Sequence, residues 1–159
     1  MKRVHPRPSQ GHACTRSSRL GALLLIVVTA CGGAAGWETG VFDESEITVG
    51  GETLTVAVAD TPEKRVRGLM EVEELPEGLD GMLFVFEEPR PGAFHMLNTP
   101  MPLDIWWFDA EGLLIGSAAM EPCPLEPCVS YGSPAPVKWV LETPSGAHEF
   151  DRGEVLSTG

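Results

Sequence analysis

The sequence predicts a mainly-β domain, a sandwich or barrel with one short helix, and three observations carry that prediction. Apolar runs of strand length recur from Ile47 to the C-terminus. Turn-forming residues separate them, with 14 prolines and 18 glycines in the 159-residue chain. Only one stretch carries the marks of a helix start.

Each element follows from local pattern. Ile47 to Val49 and Thr53 to Ala59 flank Gly50-Gly51, which reads as a hairpin around a tight turn. In "TLTVAVA", Leu54, Val56 and Val58 alternate with Thr53, Thr55 and Ala57, so one face is meant for a core. In "DTPEKRVRGLM", Asp60 or Thr61 can cap a helix, Pro62 suits its first turn and Glu63 complements its dipole. Gly68 loosens or ends it. "GMLFVFEE" at residues 81–88 is a strand, as are 93–97 and 103–109. "DAEG" at 109–112 is a turn signal, with Leu113 to Met120 as partner strand. "PVKWVLE" alternates Val137, Trp139 and Leu141 against Lys138, Val140 and Glu142, and "GEVLS" is a last short strand.

The N-terminus has a different purpose. Residues 1–19 hold Lys2, Arg3, Arg7, Arg16 and Arg19 and no acid, and "LGALLLIVVTA" at 20–30 is apolar. A membrane-crossing helix needs about 20 apolar residues, so this run suits a signal peptide, residues 1–30. Val28-Thr29-Ala30-Cys31 resembles the bacterial lipobox, in which small residues precede a cysteine that is lipidated. The resemblance implies acyl chains on Cys31 and membrane attachment through them. Gly32 rather than Asp follows, which points to the outer membrane, facing the periplasm. Residues 31–46 read as the lipidated N-terminus and a flexible tether, and 47–159 as a single domain.

All 23 acidic residues but only 6 of the 11 basic ones lie beyond residue 30, so the remainder carries a formal charge of −17. Nucleic-acid binding needs clustered Lys and Arg, and this balance argues against it. Cys14 leaves with the signal and Cys31 takes lipid, so Cys123 and Cys128 remain to pair as a disulfide in an oxidising compartment. Four residues separate them, against the two of a CxxC redox pair.

The stretches "VADTPEKRVRGLM", "GMLFVFEEPRPGAFHMLNTPMPLDIWWFDAEG", "CPLEPCVSYGSPAPVKWVLETPSG" and "GEVL" together resemble the family called domain of unknown function 192. The resemblance spans about Leu54 to Leu156 and implies a mainly-β, jelly-roll-like fold with no established activity. His95 stands where the family usually has an aromatic, and Leu97 where it often has a lysine. The closing segment "AHEFDRGEVL" is shorter than usual.

The stretch from Gly92 to Gly112 concentrates the candidate site. On strands, Phe94, Met96 and Asn98 would share one face, as would Asp104, Trp106 and Phe108 on the next. A plain account makes this a strand–corner–strand element, with Asn98, Thr99 and Asp104 bonding nearby backbone. A functional account makes it a concave ligand site, polar groups on an apolar wall of methionines and tryptophans. The ligand-binding candidates are Arg67, His95, Asn98, Thr99, Asp104 and Tyr131. His95 with Asp104 could form an acid–base pair. No GxSxG, HExxH, Walker or GxGxxG signature accompanies it, and no catalytic residue is assigned. His95, Met96, Met101, Met120, Cys123 and Cys128 are possible soft-metal ligands, but their spacing fits no compact pattern, and neither metal nor cofactor is expected.

The sequence thus favours a lipid-anchored, non-catalytic module that binds a small ligand. The alternatives are an envelope scaffold that binds protein partners, and a hydrolase-type enzyme using His95 and Asp104.

Overall fold

The computed structural model describes residues 41–159. The signal segment, Cys31 and the tether up to residue 40 lie outside the described residues. The described elements are β1 (Asp43–Val49), β2 (Glu52–Ala59), α1 (Pro62–Arg67), β3 (Gly81–Arg90), β4 (Ala93–Phe94), β5 (Leu103–Phe108), β6 (Leu114–Met120), β7 (Tyr131–Gly132), β8 (Val137–Pro144) and β9 (Leu156–Thr158). The mainly-β fold with one short helix is as the sequence predicts.

Seven strands form one sheet in the order β6-β5-β8-β3-β2-β1-β9, and β4 pairs with β7 apart from it. The large sheet curls into a half-barrel whose edges meet near one end. Leu113 bridges Val155, the Leu114 N–H donates to Glu154 O at 2.8 Å, and the Leu156 N–H donates to Gly112 O at 2.8 Å. Gly112 has φ +80°, and a Cβ there would lie 2.6 Å from the Leu156 carbonyl, so the closing turn requires glycine.

The hairpin forms as its Gly50-Gly51 turn predicts, with Val49 opposite Glu52. Strand β1 starts earlier than expected, at Asp43, so residues 43–46 belong to the sheet and not to the tether. Their polar sequence hid the strand, because the first half of β1 lacks a buried face. Strand β3 then lies parallel to β2, a pairing that needs a long crossover. The crossover contains α1, capped by Thr61, whose hydroxyl accepts from the Lys64 N–H at 3.2 Å. Lys64 Nζ reaches Asp43 at 2.8 Å and Asp60 at 3.0 Å, which pins the helix to β1.

Both faces of the sheet are covered. The inner face carries Ile47, Val56, Leu83, Trp106, Phe108, Leu141 and Leu156, with Phe150 edge-on to Trp106 at 4.9 Å. The outer face carries Ala57, Met82, Phe84, Ile105, Trp107 and Val140, and packs against Leu69, Val72, Met96 and Met101 from the connections. Trp106 and Trp107 are therefore both buried, where simple alternation on a one-faced sheet would expose one. The same applies to β8, in which Val140, Leu141 and Glu142 are consecutively buried.

Candidate functional site

The connections on the outer face leave a cleft of about 610 Å³. One wall is α1 and the turn after it, Pro62 and Arg65 to Met70. The other is the segment from Arg90 to Leu97, with Thr99. Phe84 and Phe86 of β3 and Glu142 of β8 form the floor. This volume lies within the usual range of small-molecule sites, about 300–1,000 Å³.

Glu142 reaches the floor through strand register. Its neighbours across the ladders are Met82 and Ile105, both fully buried, so its carboxyl rises from an apolar sheet face. Only 6% of the residue is exposed, and the carboxyl has no hydrogen-bond partner among the described residues. Burial pushes its pKa from 4.5 up to about 8, since a carboxylate there would be desolvated without compensation. The group is therefore mainly a neutral acid at pH 7, able to donate as well as accept. Close packing fixes it in place: a Cβ at Gly81 of β3 would collide with the Glu142 carbonyl oxygen.

Thr99 stands beside this floor, 5% exposed. Its backbone N–H donates to Met96 O at 3.0 Å, while its hydroxyl has no partner among the described residues. The wall that carries it is irregular. The expected strand at 93–97 is cut to Ala93–Phe94, and Asn98 then turns with φ 54°. Phe94, His95, Met96 and Leu97 all line the cleft, which an alternating strand would not allow. Backbone bonds hold this wall. The Asn98 N–H donates to Cys123 O at 3.0 Å, the Cys123 N–H to Met96 O at 3.2 Å, and the Glu71 N–H to Asn98 O at 2.7 Å. The Cys123–Cys128 disulfide is formed, as the cysteine count predicts, and closes the loop whose Cys123 backbone bonds this wall.

The mouth is cationic. Arg65, Arg67 and Arg90 line the cleft, half of the six basic residues that the sequence carries beyond residue 30. Arg67 pairs with Glu71 at 3.2 Å. Arg65 donates to the carbonyls of Asp60 at 2.6 Å and Val85 at 2.8 Å. The guanidinium carbons of Arg65 and Arg90 lie 5.1 and 5.6 Å from the centre of the same Phe86 ring.

The sequence candidates divide. Arg67, His95 and Thr99 line the cleft. Asn98 is exposed outside its lining, and it works through its backbone rather than its side chain. Asp104 faces a separate, shallower depression with Glu52, Trp106 and His148. Its carboxylate accepts from the Gly146 N–H at 2.7 Å and the Ser145 hydroxyl at 3.3 Å, so it ties β5 to the turn after β8. His95 and Asp104 thus line different depressions, and no acid–base pair forms between them. The Tyr131 hydroxyl accepts from the Glu121 N–H at 3.2 Å, and the residue, opposite Phe94 in the β4–β7 pair, packs against the outer-face core without lining the cleft. Among the described residues, no three His, Cys, Asp or Glu side chains gather as a metal site requires.

The family profile described as Uncharacterized ACR, domain of unknown function 192, matches residues 45–155. The chain belongs to the domain of unknown function 192 family. Within that family segment, Arg67, Gly68, Leu69, Met70, Met96 and Thr99 all come together around the cleft. No curated protein sequence matches the chain. Two crystal structures share the fold. One, from Sinorhizobium meliloti 1021, is described as a "putative transcription regulator"; it is 29% identical, with a TM-score of 0.64, covering 74% of this chain and 95% of its own. The other, from Novosphingobium aromaticivorans DSM 12444, is a protein of unknown function; it is 23% identical, with a TM-score of 0.65, covering 80% of this chain and 94% of its own.

Proposed function

We propose that this domain binds a small ligand in the cleft above Glu142 and does not transform it. One observation carries the reading. Glu142 and Thr99 are largely buried residues that line the cleft, and neither the Glu142 carboxyl nor the Thr99 hydroxyl hydrogen-bonds another described residue. A ligand seated there would bond both groups while excluding the little water that reaches them. Around them the lining is apolar, from Leu69, Met70, Phe84, Phe94 and Met96. Few polar groups in an apolar hollow is the usual composition of a binding site.

The lipobox-like stretch ending at Cys31 supports attachment to the membrane through lipid on that residue, in the cell envelope, and Gly32 supports the outer membrane facing the periplasm. With 23 acidic residues against 6 basic ones beyond residue 30, the chain is a poor match for nucleic acid. The regulator description of one structural relative is therefore not carried to this protein.

A thermal-shift screen of the purified protein against diverse small molecules tests the proposal. A ligand at 100 times its Kd adds about 2.7 kcal/mol of stability, a rise of several degrees for a domain this size. The rise is expected to vanish in Glu142→Leu, provided that variant still melts cooperatively. A panel with no stabilising compound would point instead to an envelope scaffold with protein partners.

A further inference from the structure

We propose that the ligand is a small amphipathic anion: its charged end meets the arginines at the mouth, Arg65 and Arg90, and its apolar body extends over Phe84 and Met96 toward Glu142 and Thr99. The proposal deepens the binding-module reading and rests on it.

The charge pattern carries the argument. Among the described residues, Lys64 and Arg67 have carboxylate partners. Arg65 and Arg90, like Lys138 and Arg152, form no ion pair among the described residues, and of these four only Arg65 and Arg90 line the cleft. Both are gathered on the Phe86 ring at the mouth. A guanidinium without a carboxylate partner attracts an anion, and both of these line the same cleft. Arg65 is already held in place by two backbone carbonyls, so one of the pair loses little side-chain freedom on binding. Both lie against the Phe86 ring, and a guanidinium fork matches a planar carboxylate.

The floor restricts the other end. Glu142 is mainly a neutral acid there, flanked by Met82 and Ile105, and offers a proton to an uncharged acceptor such as a carbonyl or hydroxyl. Thr99 offers a second polar contact beside it. A cationic ligand would favour the opposite arrangement, with an ionised Glu142 below and no unpaired arginines above.

Titration calorimetry of the full-length protein with octanoate, octanol and octylamine, each below its aggregation concentration, separates the cases. Octanoate is expected to bind at one site, at least tenfold more tightly than octylamine. Arg90→Gln, an exposed change that leaves the core intact, is expected to weaken octanoate about tenfold, the value of one hydrogen bond to a charged group. Octanol should be unaffected by that change. Glu142→Gln, which keeps the size and a donor, should hold octanoate binding within about threefold. Preferential binding of octylamine, abolished by Glu142→Gln, would overturn the anion assignment and leave the binding module standing. Equal affinity for octanoate and octanol, indifferent to Arg90→Gln, would do the same. If none of the three binds but the thermal-shift panel yields another ligand, the ligand class is wrong and the site reading survives. If nothing binds at all, both fail.

Discussion

At the scale of single residues, Glu142 bears most of the account. Its pKa rises from 4.5 in the unfolded chain to about 8 in the fold. Between those values the folded protein retains a proton that the unfolded chain has lost. Stability therefore falls as pH rises from about 4.5 to 8 and stays low above that window. At about 1.4 kcal/mol per unit the ceiling on this loss is roughly 4–5 kcal/mol. Glu142→Gln is expected to melt several degrees above the wild type at pH 9, with the gap shrinking toward pH 5. A gap that does not depend on pH would mean that the carboxyl is not buried as described. Thr99→Val is expected to be neutral or mildly stabilising, since it removes a hydroxyl that bonds no other described residue and keeps the size of a largely buried side chain. Asp104→Ala has the opposite character. It loses the bonds to Gly146 and Ser145 and is expected to cost about 1–2 kcal/mol by denaturant melting, with ligand affinity unchanged. Sequence reading found Thr99, Arg67 and His95 but missed Glu142. The residue sits in an alternating strand where a polar side chain reads as solvent-facing. Only the cover provided by α1 and residues 90–99 makes it an interior group.

At the scale of elements, the cleft wall is irregular chain stapled from behind. Met96, Asn98 and Cys123 exchange backbone hydrogen bonds, and the disulfide closes the loop that carries Cys123. Replacing both cysteines by serine is expected to cost about 2 kcal/mol, the entropy of a short closed loop. It should also weaken ligand binding, because the wall that carries Thr99 loosens with it. Unchanged affinity in calorimetry would show that the wall holds without the staple. Gly81→Ala is expected to cost more than 2 kcal/mol in denaturant melting, since the new Cβ meets backbone of β8 rather than a movable side chain. The hairpin, α1 with its Thr61 cap and the core of β8 were legible because local pattern decides them. The β2–β3 parallel pairing and the short β4 were not. Partner choice across 21 residues of crossover depends on tertiary packing, and residues 93–97 look extended to any local rule.

At the scale of the whole molecule, a half-barrel covered on both faces carries an arginine-lined cleft in an otherwise acidic domain. Beyond residue 30 the charge is strongly negative, yet three of its six basic residues line that cleft. Composition alone reported the excess of acid and concealed where the cations gather, since Arg65, Arg67 and Arg90 come from two separate segments. The lipobox reading belongs to this scale as well. Cys31→Ser is expected to shift the protein from the membrane fraction to the soluble fraction of cells, and a variant that stays membrane-bound would contradict lipid anchoring at that residue. The most direct test of the central claim uses the methionines as reporters. Met70 and Met96 line the cleft, whereas Met82, Met101 and Met120 do not. In ε-methyl NMR spectra recorded against a small-molecule panel that includes octanoate, a binding compound is expected to move the Met70 and Met96 signals and leave Met120 in place. Binding that moves Met120 and spares Met70 and Met96 would put the ligand site elsewhere and contradict the account.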